Sequence, residues 1–111
     1  MPQVLICNTV EEDRQGKMEG VIGDAFLAVP ELGLTPKHVS CSFLPNNYEL
    51  EDDVPVKIIV DFLFEKPERT FEVRKRLSVE IWTRCKELAG NRGVEVYIRP
   101  FNQEEEAFTA D

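Results

Sequence analysis

The sequence predicts an α+β fold built from two successive β-α-β units, and three observations carry that prediction. Apolar runs of strand length and two stretches of helical periodicity follow one another in the order strand, helix, strand, strand, helix, strand. The two halves also resemble each other: VSCSFLP (39–45) and VEVYIRP (94–100) both open on Val, place a large apolar residue fifth and end on Pro. Finally, 111 residues suit one domain, 1–111, whose modest core would gain from association with further copies.

Each element has a local reason. VLIC (4–7), headed by Pro2, reads as a buried strand, because proline has no amide hydrogen for a ladder and is tolerated where a strand starts. Residues 11–29 begin with acids, as a helix N-terminus prefers, and space Met18, Val21, Ile22, Ala25, Phe26 and Val29 on one face. Gly16, Gly20 and Gly23 weaken that helix, and LGLTP (32–36) breaks it. HVSCSFL (38–44) alternates as a strand until Pro45, and PNNYELEDD (45–53) is an acidic loop.

VPVKIIVDFLF (54–64) is the strongest strand signal. Val56, Ile58, Val60, Phe62 and Phe64 form one face, and Ile59 and Leu63 make the other apolar too, so both faces are expected to be covered. After the turn EKPER (65–69), Thr70 is a plausible N-cap for an amphipathic helix at 71–90 carrying Phe71, Leu77, Ile81, Cys85 and Leu88, with Trp82 at its border. Gly90, Asn91 and Gly93 stop it, and VEVYIRPF (94–101) is the last strand, ahead of an acidic tail.

The composition excludes several classes of function. A net charge of -8 argues against general nucleic-acid binding, and it disfavours an anionic substrate unless basic residues converge locally. No apolar run is long enough to span a membrane and no secretory leader is visible, so a cytoplasmic protein is expected. Cys7, Cys41 and Cys85 lack metal or redox spacing and read as reduced core residues; no metal or cofactor is expected. His38 has no second ligand at metal spacing and reads as a strand-start residue.

Two architectures share this element order. One is the ferredoxin-like fold, used by small-ligand and interaction domains. The other is suggested by MPQVLICNT, GLTPKHVSCSFLPN and RGVEVYIRPFNQEEEAF, which together resemble the tautomerase superfamily, relatives of 4-oxalocrotonate tautomerase and macrophage migration inhibitory factor. That resemblance implies a pseudo-twofold, four-stranded mixed sheet with two helices on one face. It also implies a homotrimer whose sheets surround the threefold axis.

The resemblance further implies that Pro2, once Met1 is removed, is a general base moving a proton on a small enolisable keto or enol acid. A secondary amine in an apolar pocket beside cations has its pKa lowered toward neutrality, where a base works best. Cations must then hold the substrate carboxylate and the developing enolate, and the arginine fork suits a carboxylate. Arg69, just before the second helix, matches a carboxylate-binding arginine of the oxalocrotonate branch, although it also reads as a solvated turn residue. Tyr97 matches a pocket tyrosine; Arg99 stands where the migration-inhibitory-factor branch has asparagine, and Phe101 would add an apolar wall. Arg99 could equally form a surface pair with Glu95.

Lys37 lies near the family's substrate-binding lysine, whose strict match falls on Leu34. The segment after the central strand, Glu65 to Glu68, lacks the paired arginines of dehalogenase-like and decarboxylase-like branches. Three readings stay open: a tautomerase or isomerase, a tautomerase-fold protein acting through protein contacts without significant catalysis, and a ferredoxin-like ligand or interaction domain. If Met1 stays in place, the Pro2 nitrogen is an amide and cannot be a base.

Overall fold

In the computed structural model of the protein, which describes residues 2–44, 54–105 and 109, four strands form one mixed sheet. The elements are β1 (Gln3–Cys7), α1 (Glu12–Leu27), β2 (Ser40–Phe43), β3 (Val56–Phe64), α2 (Phe71–Ala89) and β4 (Val94–Phe101). Short 3-10 turns follow α1 at Pro30–Leu32, precede β2 at Pro36–His38 and follow α2 at Gly90–Arg92. The sheet order is β2-β1-β3-β4, with β1 parallel to β2, β3 parallel to β4 and β1 antiparallel to β3.

This order excludes the ferredoxin-like alternative, in which each β-α-β unit is split by another strand. Here the two strands of each unit pair directly, and the units meet through β1 and β3 in a pseudo-twofold arrangement. The seven-residue match between the halves has a structural meaning. Cys41 and Phe43 pair with Val4 and Ile6, while their counterparts Val96 and Ile98 pair with Ile58 and Val60.

One apolar layer holds the sheet to the helices. Val4 and Ile6 of β1 and Val56, Ile58, Val60 and Leu63 of β3 are buried against Met18, Ile22, Ala25 and Phe26 of α1 and Leu77, Ile81 and Cys85 of α2. Fully burying one such aliphatic side chain is worth about 1.5–3 kcal/mol, so this layer, rather than helix propensity, stabilises α1 and α2. Thr70 caps α2 as the sequence predicts, its hydroxyl accepting from the Val73 amide at 3.3 Å.

Several expectations are corrected. The first helix stops at Leu27, before LGLTP, because Pro30 cannot continue it and Val29 before it has already left helical geometry. The second strand begins at Ser40, so His38 sits in a 3-10 turn, where its Nδ1 accepts from the Thr35 amide at 3.1 Å. Phe71 points outward, 70% exposed, and Trp82 is also exposed. Cys85 is buried as expected, but Cys41 and Cys7 are only half-buried, and all three are free thiols. The acidic loop 45–53 lies outside the described residues.

The largest correction concerns β3. A bulge between Val60 and Leu63 sets Asp61 and Phe62 against Arg99 alone on β4. The extra residue reverses the alternation, so Leu63 is buried and Phe62 is 46% exposed, the opposite of a strictly period-two strand. Phe62 adopts φ +58, a conformation that costs a bulky residue about 1–3 kcal/mol.

Two predictions follow from the helix packing and the thiols. A Cβ at Gly20 would meet nothing within 4 Å, so Gly20→Ala should stabilise the fold by about 0.5–1 kcal/mol in urea unfolding. A Cβ at Gly23 would stand 3.1 Å from Pro36, so Gly23→Ala should lack that gain.

Burial, reinforced by the Glu19 charge, pushes the Cys41 thiol up to about 11, and burial pushes Cys85 up to about 12. The folded chain therefore keeps protons that the unfolded chain loses from pH 9.0 upward. Stability should be undiminished by these groups below that pH and fall as pH rises toward 12, and Cys85→Ala should flatten the alkaline limb of a pH series of urea midpoints.

Candidate active site

Because β1 and β2 start at the same end of the sheet where β3 and β4 finish, the topology gathers residues distant in sequence there. Pro2 is buried at the head of β1, and its carbonyl accepts from the Ser40 amide at 3.3 Å. That bond ties it to the start of β2, just after the Pro36–His38 turn that carries exposed Lys37. Gly23 of α1 allows Pro36 to approach closely and seats this turn on the helix.

On the other side of β1 the ladder to β3 ends at Gln3 and Asp61, so Pro2 and Phe62 are next in register. Arg99 reaches across from β4 and donates to Asp61 Oδ2 at 2.6 Å. It therefore pairs with Asp61 and not with Glu95, and this bond raises its pKa further above the ordinary arginine value. The rings of Phe62 and Phe64 lie 5.6 and 5.5 Å from Phe101, making an aromatic cluster beyond Arg99. Tyr97 pairs with Ile59 nearer mid-sheet, on the face away from the helices, with Lys57 Nζ 5.9 Å from its ring centroid.

Arg69 occupies a different layer. Only 6% exposed, it is not a solvated turn residue: its terminal nitrogens donate to the Phe64 and Leu32 carbonyls, each at 2.9 Å. Its Nε is buried without a partner, and burial lowers its pKa. The Arg69 carbonyl in turn accepts from Arg74 at 2.8 Å. As placed, Arg69 joins the end of β3 to the turn after α1, with both terminal nitrogens engaged by backbone carbonyls.

Sequence reasoning missed Asp61, Phe62 and Lys66. A lone acid inside the apolar run IIVDFLF was the available signal for the first two, since an unpaired charge is rare in a strand expected to be covered on both faces. Lys66 lines a cleft of about 340 Å³ with Phe64, Glu65, Phe101, Asn102, Gln103 and Glu104. Among the described residues there is no cluster of His, Cys, Asp and Glu able to hold a metal ion, and no helix long and apolar enough to cross a membrane.

No protein-family model matches the chain, and no curated protein matches it. Solved structures do. A domain of unknown function from Sebaldella termitidis superposes with a TM-score of 0.72 at 18% identity, covering 100% of this chain and 96% of that one. A member of the cis-3-chloroacrylic acid dehalogenase family gives 0.71 at 13% identity, covering 97% and 79%. A fused 4-OT symmetric trimer gives 0.64 at 16% identity, covering 92% and 85%. The chain has the fold of the tautomerase superfamily, to which these structures belong.

The Arg69 bonds make a stability prediction. Charge-assisted hydrogen bonds are worth about 1.5–3 kcal/mol each, and Arg69→Ala would remove the two that Arg69 gives to the Phe64 and Leu32 carbonyls. We expect that variant to lose about 2–4 kcal/mol in urea unfolding, whereas Arg99→Ala, removing an exposed pair, should leave the midpoint nearly unchanged.

Proposed function

We propose that this protein is a tautomerase or isomerase in which Pro2, exposed as an amino-terminal amine by removal of Met1, is the general base on a small enolisable keto acid. The observation that carries this reading is the burial of Pro2 at the end of the sheet where Lys37, Arg99 and Phe101 also stand. A buried amine loses solvation of its charged form, which favours the neutral base. It would take the proton alpha to the substrate carbonyl and return it to the other end of the enol system.

In this reading Arg99 and Lys37 hold the carboxylate and the developing enolate, and Phe101 and Tyr97 shape the apolar side. Arg69 would contribute through a donor that its two backbone carbonyls leave free. The chain acts as a cytoplasmic homotrimer of single domains, as the 4-OT neighbour is a trimer, and needs no cofactor, nucleic acid or membrane. Half-buried Leu5 and Ile59 on the sheet face away from the helices support such an assembly.

A second reading has a specific observation in its favour. Arg69 is engaged by carbonyls and Arg99 by Asp61, as expected of a tautomerase-fold protein that works through protein contacts without significant catalysis. One experiment decides between them: intact mass of the untagged protein, then enol-keto exchange of phenylpyruvate and 2-hydroxymuconate on the same sample. Loss of Met1 with accelerated exchange, reduced by about 100-fold or more in Pro2→Ala with assembly unchanged, supports the base. Retained Met1, or an inert free-proline protein, leaves the contact reading.

A further inference from the structure

The bulge in β3 places one carboxylate between Arg99, which the Pro2 reading uses, and the amide of Phe62, whose ring packs on the Phe101 of that reading. Asp61 Oδ1 accepts from the Phe62 amide at 3.0 Å, and Oδ2 accepts from Arg99 at 2.6 Å. Its side chain is 17% exposed, whereas the Arg99 side chain is 60% exposed. An ordinary surface ion pair would use only the second bond. The first bond satisfies the amide of a residue held at positive φ, where the ladder between β1 and β3 has just ended beside Pro2.

We infer that Asp61 is a positioning residue for the Pro2 site: its two oxygens fix the Phe62 ring against Phe101 and aim the Arg99 guanidinium at the same time. This rests on the Pro2 reading for its catalytic consequence, but not for its effect on binding. Release of Oδ1 frees the Phe62 backbone from its strained conformation and moves the aromatic wall. Release of Oδ2 leaves Arg99 without the anion that orients it. Asp61 itself touches no reacting atom.

Two substitutions separate these roles. Asp61→Asn keeps an oxygen for the Phe62 amide but removes the charge that holds Arg99; Asp61→Ala removes both bonds. With phenylpyruvate, Asp61→Asn should raise KM about tenfold with kcat within about twofold, and Asp61→Ala should also lower kcat by about tenfold. Arg99→Ala should reproduce the Asp61→Asn result, and adding Asp61→Asn to it should have little further effect.

The same variants are titrated with trans-cinnamate, a carboxylate that cannot enolise, by amide chemical shifts that also report the Phe62 amide. If the wild type is inert but binds cinnamate at least fivefold more tightly than Asp61→Ala and Asp61→Asn, the inference holds and the Pro2 reading fails. If Asp61→Ala retains kcat, KM and cinnamate affinity within about twofold, or the wild type neither turns over nor binds, the inference is overturned.

Discussion

The single apolar layer between the sheet and its two helices is the constraint on which the rest of this structure depends. Each strand offers it only alternate residues, and β1 meets that demand with Val4 and Ile6. The longer β3 has to place Leu63 in the layer as well as Val60, three residues earlier, which a regular strand cannot do. The bulge at Asp61 and Phe62 resolves the conflict. It costs backbone strain, turns the Phe62 ring out of the packing layer and leaves the Asp61 carboxylate at the end of the β1–β3 ladder.

Arginines tie the two ends of the sheet in related ways. Arg69, before α2, donates to the end of β3 and to Leu32 after α1. Arg92, after α2, donates to Asn8 and Thr9 at the end of β1 and to Val54 before β3. Both donate to backbone carbonyls, and both link segments from different halves of the chain. The pseudo-twofold relation is thus carried by backbone bonding as well as by strand pairing. It also explains why an arginine placed by resemblance in a substrate site is found holding the backbone.

The candidate site is a product of topology. Pro2, Lys37, Asp61 and Arg99 belong to four segments, and the pairing of the strands sets where each of them stands. Parallel pairing within each unit and antiparallel pairing between units puts two strand beginnings and two strand endings at one end of the sheet. Lys37 comes there from a turn and Asp61 and Arg99 from the ends of β3 and β4, whereas the opposite end is occupied by the Arg92 bonds. In a chain of net charge -8 this leaves Lys37 just before β2 and Arg99 on β4, at the same end of the sheet but on its two outer strands.

By itself the sequence determined the element order, the cap at Thr70, the burial of Leu77, Ile81 and Cys85 on α2, the likeness of the two halves and the unusual position of Pro2, because these depend on neighbours within a few residues. Only the tertiary structure decided that Phe62 leaves the core while Leu63 enters it, that Arg69 is buried on carbonyls, and that Arg99 chooses Asp61 over Glu95. Each of those outcomes depends on partners 5 to 38 residues away, and for the last on which strands become neighbours. Local periodicity records which residues can be buried; the shared packing layer decides which of them are.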